Sequence, residues 1–158
     1  MGPRTVSHRA NEASLRTGHA AQTLARGARV AILRHPLAQV LQMKTHTGGC
    51  HCGRIAFDVD ADFAKAIDCN CSMCGKRGGL LAFVPAAQVR IKTAEADMAT
   101  YTFNKHALRH HFCTVCGIAP LSRGSDRAGN AMFAINVRCL DDFDLGALEI
   151  QHVDGRSF

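Results

Sequence analysis

Beyond residue 47, apolar positions recur with a period of two. Ile55, Phe57 and Val59 alternate with small or polar residues, the pattern of a strand with one face buried. Residues 80–84 form a short apolar run stopped by Pro85, and Val89 and Ile91 flank Arg90. Tyr101 and Phe103 make a further pair. Phe133, Ile135 and Val137 alternate with Ala134, Asn136 and Arg138, and Leu148, Ile150 and His152 repeat the pattern near the end. Turn signals lie between these runs at Gly78 and Gly79, at Gly124 and Ser125, and at Asp141 and Asp142. No long helical period is evident, and residues 63–67 and 145–148 are read as single turns. The pattern predicts a small, mainly β domain of about 110 residues, large enough to bury roughly two-thirds of its unfolded surface.

Charge changes the picture only when it is divided along the chain. The 158 residues carry a net charge of +6. Residues 1–42 contain six Arg, no Lys and the single acid Glu12, a net +5, so the remainder carries +1. A basic chain suggests nucleic acid or an anionic membrane as partner. Here the excess sits in the leader, and the later part is nearly neutral, so a nucleic-acid domain is rejected as the main reading. The leader has the composition of a transit peptide, of a basic tail, or of a start-site artefact preceding a natural start at Met43. A disordered tail or such an artefact is expected. No run approaches the roughly 18 apolar residues of a membrane helix, and no membrane partner is expected.

Cysteine is the unusual component. Seven of the eight fall in three clusters, each closed by glycine: Cys50 and Cys52 before Gly53, Cys69, Cys71 and Cys74 before Gly75, and Cys113 and Cys116 before Gly117. Spacings of C-x-C and C-x-x-C turn neighbouring sulfurs toward one point, which suits a tetrahedral soft metal better than separate disulfides. Four ligands make a closed structural zinc site, and three leave a position for water or substrate. Seven thiols therefore divide as four plus three. The middle cluster supplies the three, and Cys50, Cys52, Cys113 and Cys116 the four. A zinc ribbon of Cys71, Cys74, Cys113 and Cys116 is the rival grouping. Around these, His51, His110 and His111 could serve as ligands, proton shuttles or surface groups. Cys139 reads as a buried, small apolar thiol. Free thiolates require a reducing compartment, so the cytoplasm is expected, or mitochondria if the leader is a transit peptide.

These motifs, together with Thr47, Gly48 and Gly49 before the first cluster, Asn136 to Leu140, and the closing Val153, Asp154, Gly155 and Arg156, resemble the glutathione-dependent formaldehyde-activating enzyme family, which also contains the centromere-protein-V-like proteins. The resemblance covers residues 46–158. It implies a compact zinc-containing domain of several small antiparallel sheets, a fold shared with a Rab-binding exchange chaperone. It implies two zinc ions per chain, a structural one on Cys50, Cys52, Cys113 and Cys116 and an exchangeable, catalytic one on Cys69, Cys71 and Cys74. The implied activity is that of a carbon–sulfur lyase run toward the adduct, in which glutathione and formaldehyde give S-hydroxymethylglutathione. Leu121 follows Pro120 where the family often has an aromatic, a departure that concerns pocket shape and not the metal sites.

Glutathione carries two carboxylates, so cationic anchors are expected. Arg54, Lys76, Arg77, Arg109 and Arg138 are candidates, with Lys76 and Arg77 preferred because they directly follow the middle cluster. The alternative function is a non-catalytic, zinc-stabilised interaction module. The oligomeric state is left open.

Overall fold

A computed structural model describes residues 43–158; the leader of residues 1–42 lies outside the described residues. Two sheets form the domain. The smaller is antiparallel, in the order β1–β2–β5, built from β1 (Thr45–Gly49), β2 (Ala56–Asp60) and β5 (Val89–Ile91). The larger has seven strands: β3 (Lys65–Cys69), β4 (Leu80–Pro85), β6 (Ala99–Tyr101), β7 (Arg109–Phe112), β8 (Leu121–Ser125), β9 (Ala131–Asn136) and β10 (Glu149–Val153). Its order is β10–β3–β4–β9–β8–β7–β6. The expected mainly β class is observed, but the sheets are not all antiparallel. β10 returns from the end of the chain to lie parallel to β3, pairing Val153 with Cys69.

The period-two reading places the core correctly on β2 and β9, but not on β6, where Tyr101 is 49% exposed and Phe103 lies beyond the strand. Phe57 and Val59 of β2 are 1% and 0% exposed, and they share one buried cluster with Leu80, Ala82 and Val84 of β4 and with Phe133 and Ile135 of β9. The outward residues of β2 carry charge: Asp60 pairs with Arg90 and Asp58 with Lys92. Gly48 permits close approach of β1 to the chain at Cys139, since a Cβ there would lie 2.6 Å from the Cys139 carbonyl oxygen.

Four strands carry no clear apolar alternation, and the structure corrects the reading there. Residues 63–67, read as a turn, contribute most of β3, of which Ala66 is buried. Gly124 and Ser125, also read as a turn, end β8, where Gly124 pairs with Met132. The reversal comes just afterwards, where the Asp126 carboxylate accepts hydrogen bonds from the Ala128 and Asn130 amides. β7 is hidden by its histidines. Both His110 and His111 are buried, with partners in the Ser122 and Thr100 hydroxyls at 2.9 and 3.0 Å. β1, with two glycines in five residues, offers only His46 as a large buried side chain. The turn expected at residues 145–148 is a short 3-10 segment, Leu145–Ala147. One short helix, α1 (Cys74–Arg77), completes the middle cysteine loop.

Candidate metal centres

Each outer cysteine pair occupies a tight loop leaving a strand. After β1, the Cys50 amide donates to the Ile55 carbonyl, the Gly53 amide donates to the Cys50 carbonyl, and the Ile55 amide points at the Cys50 sulfur at 3.2 Å. After β7 the construction repeats: the Cys113 amide donates to the Ile118 carbonyl and the Gly117 amide to the Cys113 carbonyl. Gly53 and Gly117 take φ of 76° and 75°, a conformation that costs other residues energy. The glycine after each outer pair is thus needed to turn amides toward sulfur.

Tertiary structure brings the two loops together. The Sγ atoms of Cys50, Cys52, Cys113 and Cys116 all lie within 4.8 Å of one another. Cys50 and Cys52 are 3.6 Å apart and Cys52 and Cys113 3.5 Å. A disulfide needs about 2.05 Å, and all eight cysteines are free. A zinc–sulfur length of about 2.3 Å gives a tetrahedron edge of about 3.8 Å, so the donor set fits zinc. Three of these thiols are shifted in different directions. The Ile118 and Cys52 amides bring Cys116 down to about 6, and the Cys116 amide lowers Cys113. Cys52 has the Arg54 amide acting downward. Its thiol hydrogen bonds with Cys113 and Cys50, together with burial, outweigh that and push it up to about 11.

The second group is local. Cys69 ends β3, Cys71 lies in the following loop and Cys74 opens α1. Their sulfurs also lie within 4.8 Å of one another. The Cys71 amide points at the Cys69 sulfur at 3.5 Å, and the Cys74 amide at the Cys71 sulfur at 3.4 Å. Burial acts upward on Cys71, but the Cys74 amide and thiol outweigh it and lower its pKa. Burial pushes Cys74 up to about 12, reinforced by the Cys71 thiol and its charge. One loop thus holds a thiol made more acidic beside one made less acidic, a difference that a bound cation would override. No fourth His, Cys, Asp or Glu joins this group among the described residues. The division into four plus three is the one the spacing suggested, and the mixed ribbon is not formed.

The chain end encloses the triad, a feature with no sequence signal beyond the resemblance. Because β10 runs parallel to β3, the residues after Val153 arrive beside Cys69. Asn70 donates to Asp154 at 2.7 Å, while its own side-chain and backbone oxygens accept from the Arg156 amide and Nε. Gly155 lies against the cluster so closely that a Cβ there would stand 2.5 Å from the Cys69 sulfur.

Among the cations expected as anchors, Lys76 and Arg77 end α1 and are exposed. The Arg77 guanidinium lies 6.0 Å from the centre of the Phe112 ring. Arg77 lines a groove of about 620 Å³ with His51, Arg138 and Cys139, next to Cys50 of the four-sulfur site. Arg54 is exposed beside the first loop, and Arg109 pairs with Glu95 at 2.9 Å. Cys139, expected to be buried, is only half-buried and lines the groove with Arg77; its thiol is raised to about 11, first by burial and then by the charges of Cys50 and Cys116. Lys105 and Arg156, neither of them among the expected anchors, border a groove of about 470 Å³ that reaches Cys71. His111 is fully buried, with Nε2 3.9 Å from Glu95. Among the described residues, no helix is long and apolar enough to cross a membrane.

Residues 45–152 match the sequence model of a family described as glutathione-dependent formaldehyde-activating enzyme. The structure is similar to the crystal structure of a Rhodobacter sphaeroides protein, with 27% sequence identity and a TM-score of 0.60. That alignment covers 68% of this chain and 99% of the other.

Proposed function

Since the chain belongs to the glutathione-dependent formaldehyde-activating enzyme family, we propose that it joins the thiol of glutathione to formaldehyde at Cys69, Cys71 and Cys74. The observation that carries this reading is a group of three convergent sulfurs with no fourth protein ligand among the described residues. The four-sulfur group, closed and partly buried, is assigned to a structural zinc. Zinc held by the triad would supply a position at which a substrate thiol is acidified.

The chain's own residues do the rest. The Cys71 and Cys74 amides, aimed at the Cys69 and Cys71 sulfurs, help fix the geometry of the loop, and the Cys74 amide favours the anionic form of Cys71. The segment Gly155–Ser157, tied to Asn70, closes one side of the triad and keeps the loop from splaying. Lys76 and Arg77 are the proposed anchors for the glutathione carboxylates, each as a charge-assisted contact. Bringing thiol and carbonyl together is the main contribution, because formaldehyde needs little activation. The sulfur–carbon bond forms as the carbonyl π pair moves to oxygen, which takes the proton lost by the thiol. Free thiols point to the cytoplasm as the working compartment.

The test is adduct formation in buffer free of dithiothreitol, with Cys71→Ser as the control. A rate above the uncatalysed background in the parent and loss of that excess in the variant are expected. Equal rates would leave the domain as a zinc-stabilised module. Metal content should be two zinc per chain, one of them labile to a chelator and protected from it when glutathione is added.

A further inference from the structure

An antiparallel sheet that buries one face ordinarily shows polar residues on the other. The large sheet breaks this rule at one place. Leu80, Ala82 and Val84 face the core, while Leu81 and Phe83 of the same strand face outward beside Ile67, Met132 and Ala134 of the neighbouring strands. Phe103 and Leu108, from the connection between β6 and β7, complete the walls of a cavity of about 510 Å³. Phe83 and Leu108 are still 52% and 46% exposed. All three triad cysteines line the same cavity, and Asp126 and Arg127 carry the formal charges of its remaining walls.

The wall also contains a polar group without a partner. His110 is 8% exposed and lines the cavity. Its Nδ1 lies 2.9 Å from the Ser122 hydroxyl, and its Nε2 is buried with no hydrogen-bond partner. If the serine hydroxyl donates to Nδ1, the Nε2–H is the donor left over. An unmatched buried donor is costly, but this one is covered by its neighbours, with the ring stacked on Phe103, and does not open onto the cavity.

Neither glutathione, with its two carboxylates, nor formaldehyde, with no apolar part, matches such walls. We propose that the cavity binds the apolar tail of an aldehyde, of medium-chain aliphatic or aryl type, with its carbonyl at the triad. This rests on the thiol-addition reading for the chemistry but not for the binding. The thiol sulfur bonds to the carbonyl carbon, the π pair goes to oxygen, and the thiol proton ends on that oxygen. The product is a hemithioacetal, and no oxidant or reductant is required. Volumes of roughly 300–1,000 Å³ are usual for small-molecule pockets, so the space is adequate.

Binding can be read apart from the chemistry with unreactive alcohols on the full chain, by displacement of 1-anilinonaphthalene-8-sulfonate fluorescence. From butanol to octanol the affinity should rise up to about fourfold per methylene. Ala134→Trp, which fills the cavity from β9, should abolish that dependence and lower the octanal-to-formaldehyde rate ratio at least tenfold. Leu108→Glu, at an exposed position, should act in the same direction if the tryptophan variant does not fold. A flat alcohol series in the parent, or an unchanged rate ratio in a folded variant, overturns the proposal. Chain-length-dependent alcohol binding by a protein that makes no adduct would support the cavity while removing the synthase reading.

Discussion

The four-sulfur site ties two loops that are far apart in sequence, and its contribution to stability follows from that separation. Cys52 and Cys113 lie 61 positions apart. Treating the metal as a cross-link, closing a loop of that length removes chain entropy worth about 4 kcal/mol at 25 °C. The triad spans five positions within one loop, from Cys69 to Cys74, and the same expression gives about 2 kcal/mol, an upper bound for so short and stiff a segment. The perturbation is the double variant Cys52→Ser/Cys116→Ser, which takes one sulfur from each loop and spares the nearly inaccessible Cys113, 1% exposed. Its counterpart is Cys69→Ser/Cys71→Ser. Urea unfolding of zinc-loaded protein is the assay. At a slope of about 2 kcal/mol per molar, the first variant should lose about 2 M in midpoint and the second at most half as much. Chelation of the parent removes both metals and should cost at least as much as the first variant. Equal shifts in the two variants, or a loss below about 1 kcal/mol in the first, would refute the assignment of the four-sulfur group as the clip.

Gly155→Ala places a methyl group 2.5 Å from the Cys69 sulfur; a cobalt titration followed by thiolate charge-transfer absorbance should show triad affinity lowered at least tenfold with the four-sulfur site unchanged. Ile135, 0% exposed on β9, is a packing residue away from both centres, and Ile135→Ala should cost about 2–5 kcal/mol in urea unfolding. His46 is held below its ordinary 6.5, first by burial and then by Lys44, among the rings of Phe63 and Phe143. Its neutral form therefore stabilises the fold fully above pH 6.5, and that stability is lost as pH falls below 6.5 toward the folded value. Melting measured from pH 7.5 to 5.5 should fall less steeply in His46→Gln than in the parent, by no more than about 1.4 kcal/mol per unit.

The parts of the protein visible in its sequence are those built by neighbours along the chain. A cysteine pair two or three residues apart, with glycine next, forms its amide-lined loop from local backbone geometry, so the capacity of the clusters to hold a metal could be read before any fold was known. Strands with one dry face and one wet face were equally visible, because a period of two is a local property. The structure decided the rest. Cys50 and Cys52 meet Cys113 and Cys116 because β1 and β7 deliver them. Those strands escaped notice because glycine fills one, and buried histidines with hydroxyl partners fill the other. Gly155 and Arg156 reach the triad because β10 pairs in parallel with β3 at the edge of the large sheet. The cavity depends on pairing as well: Leu81 and Phe83 look like ordinary core residues until the register sets them on the outer face beside Ile67 and Ala134. A sequence specifies which side chains can make a site, but strand order decides which of them meet.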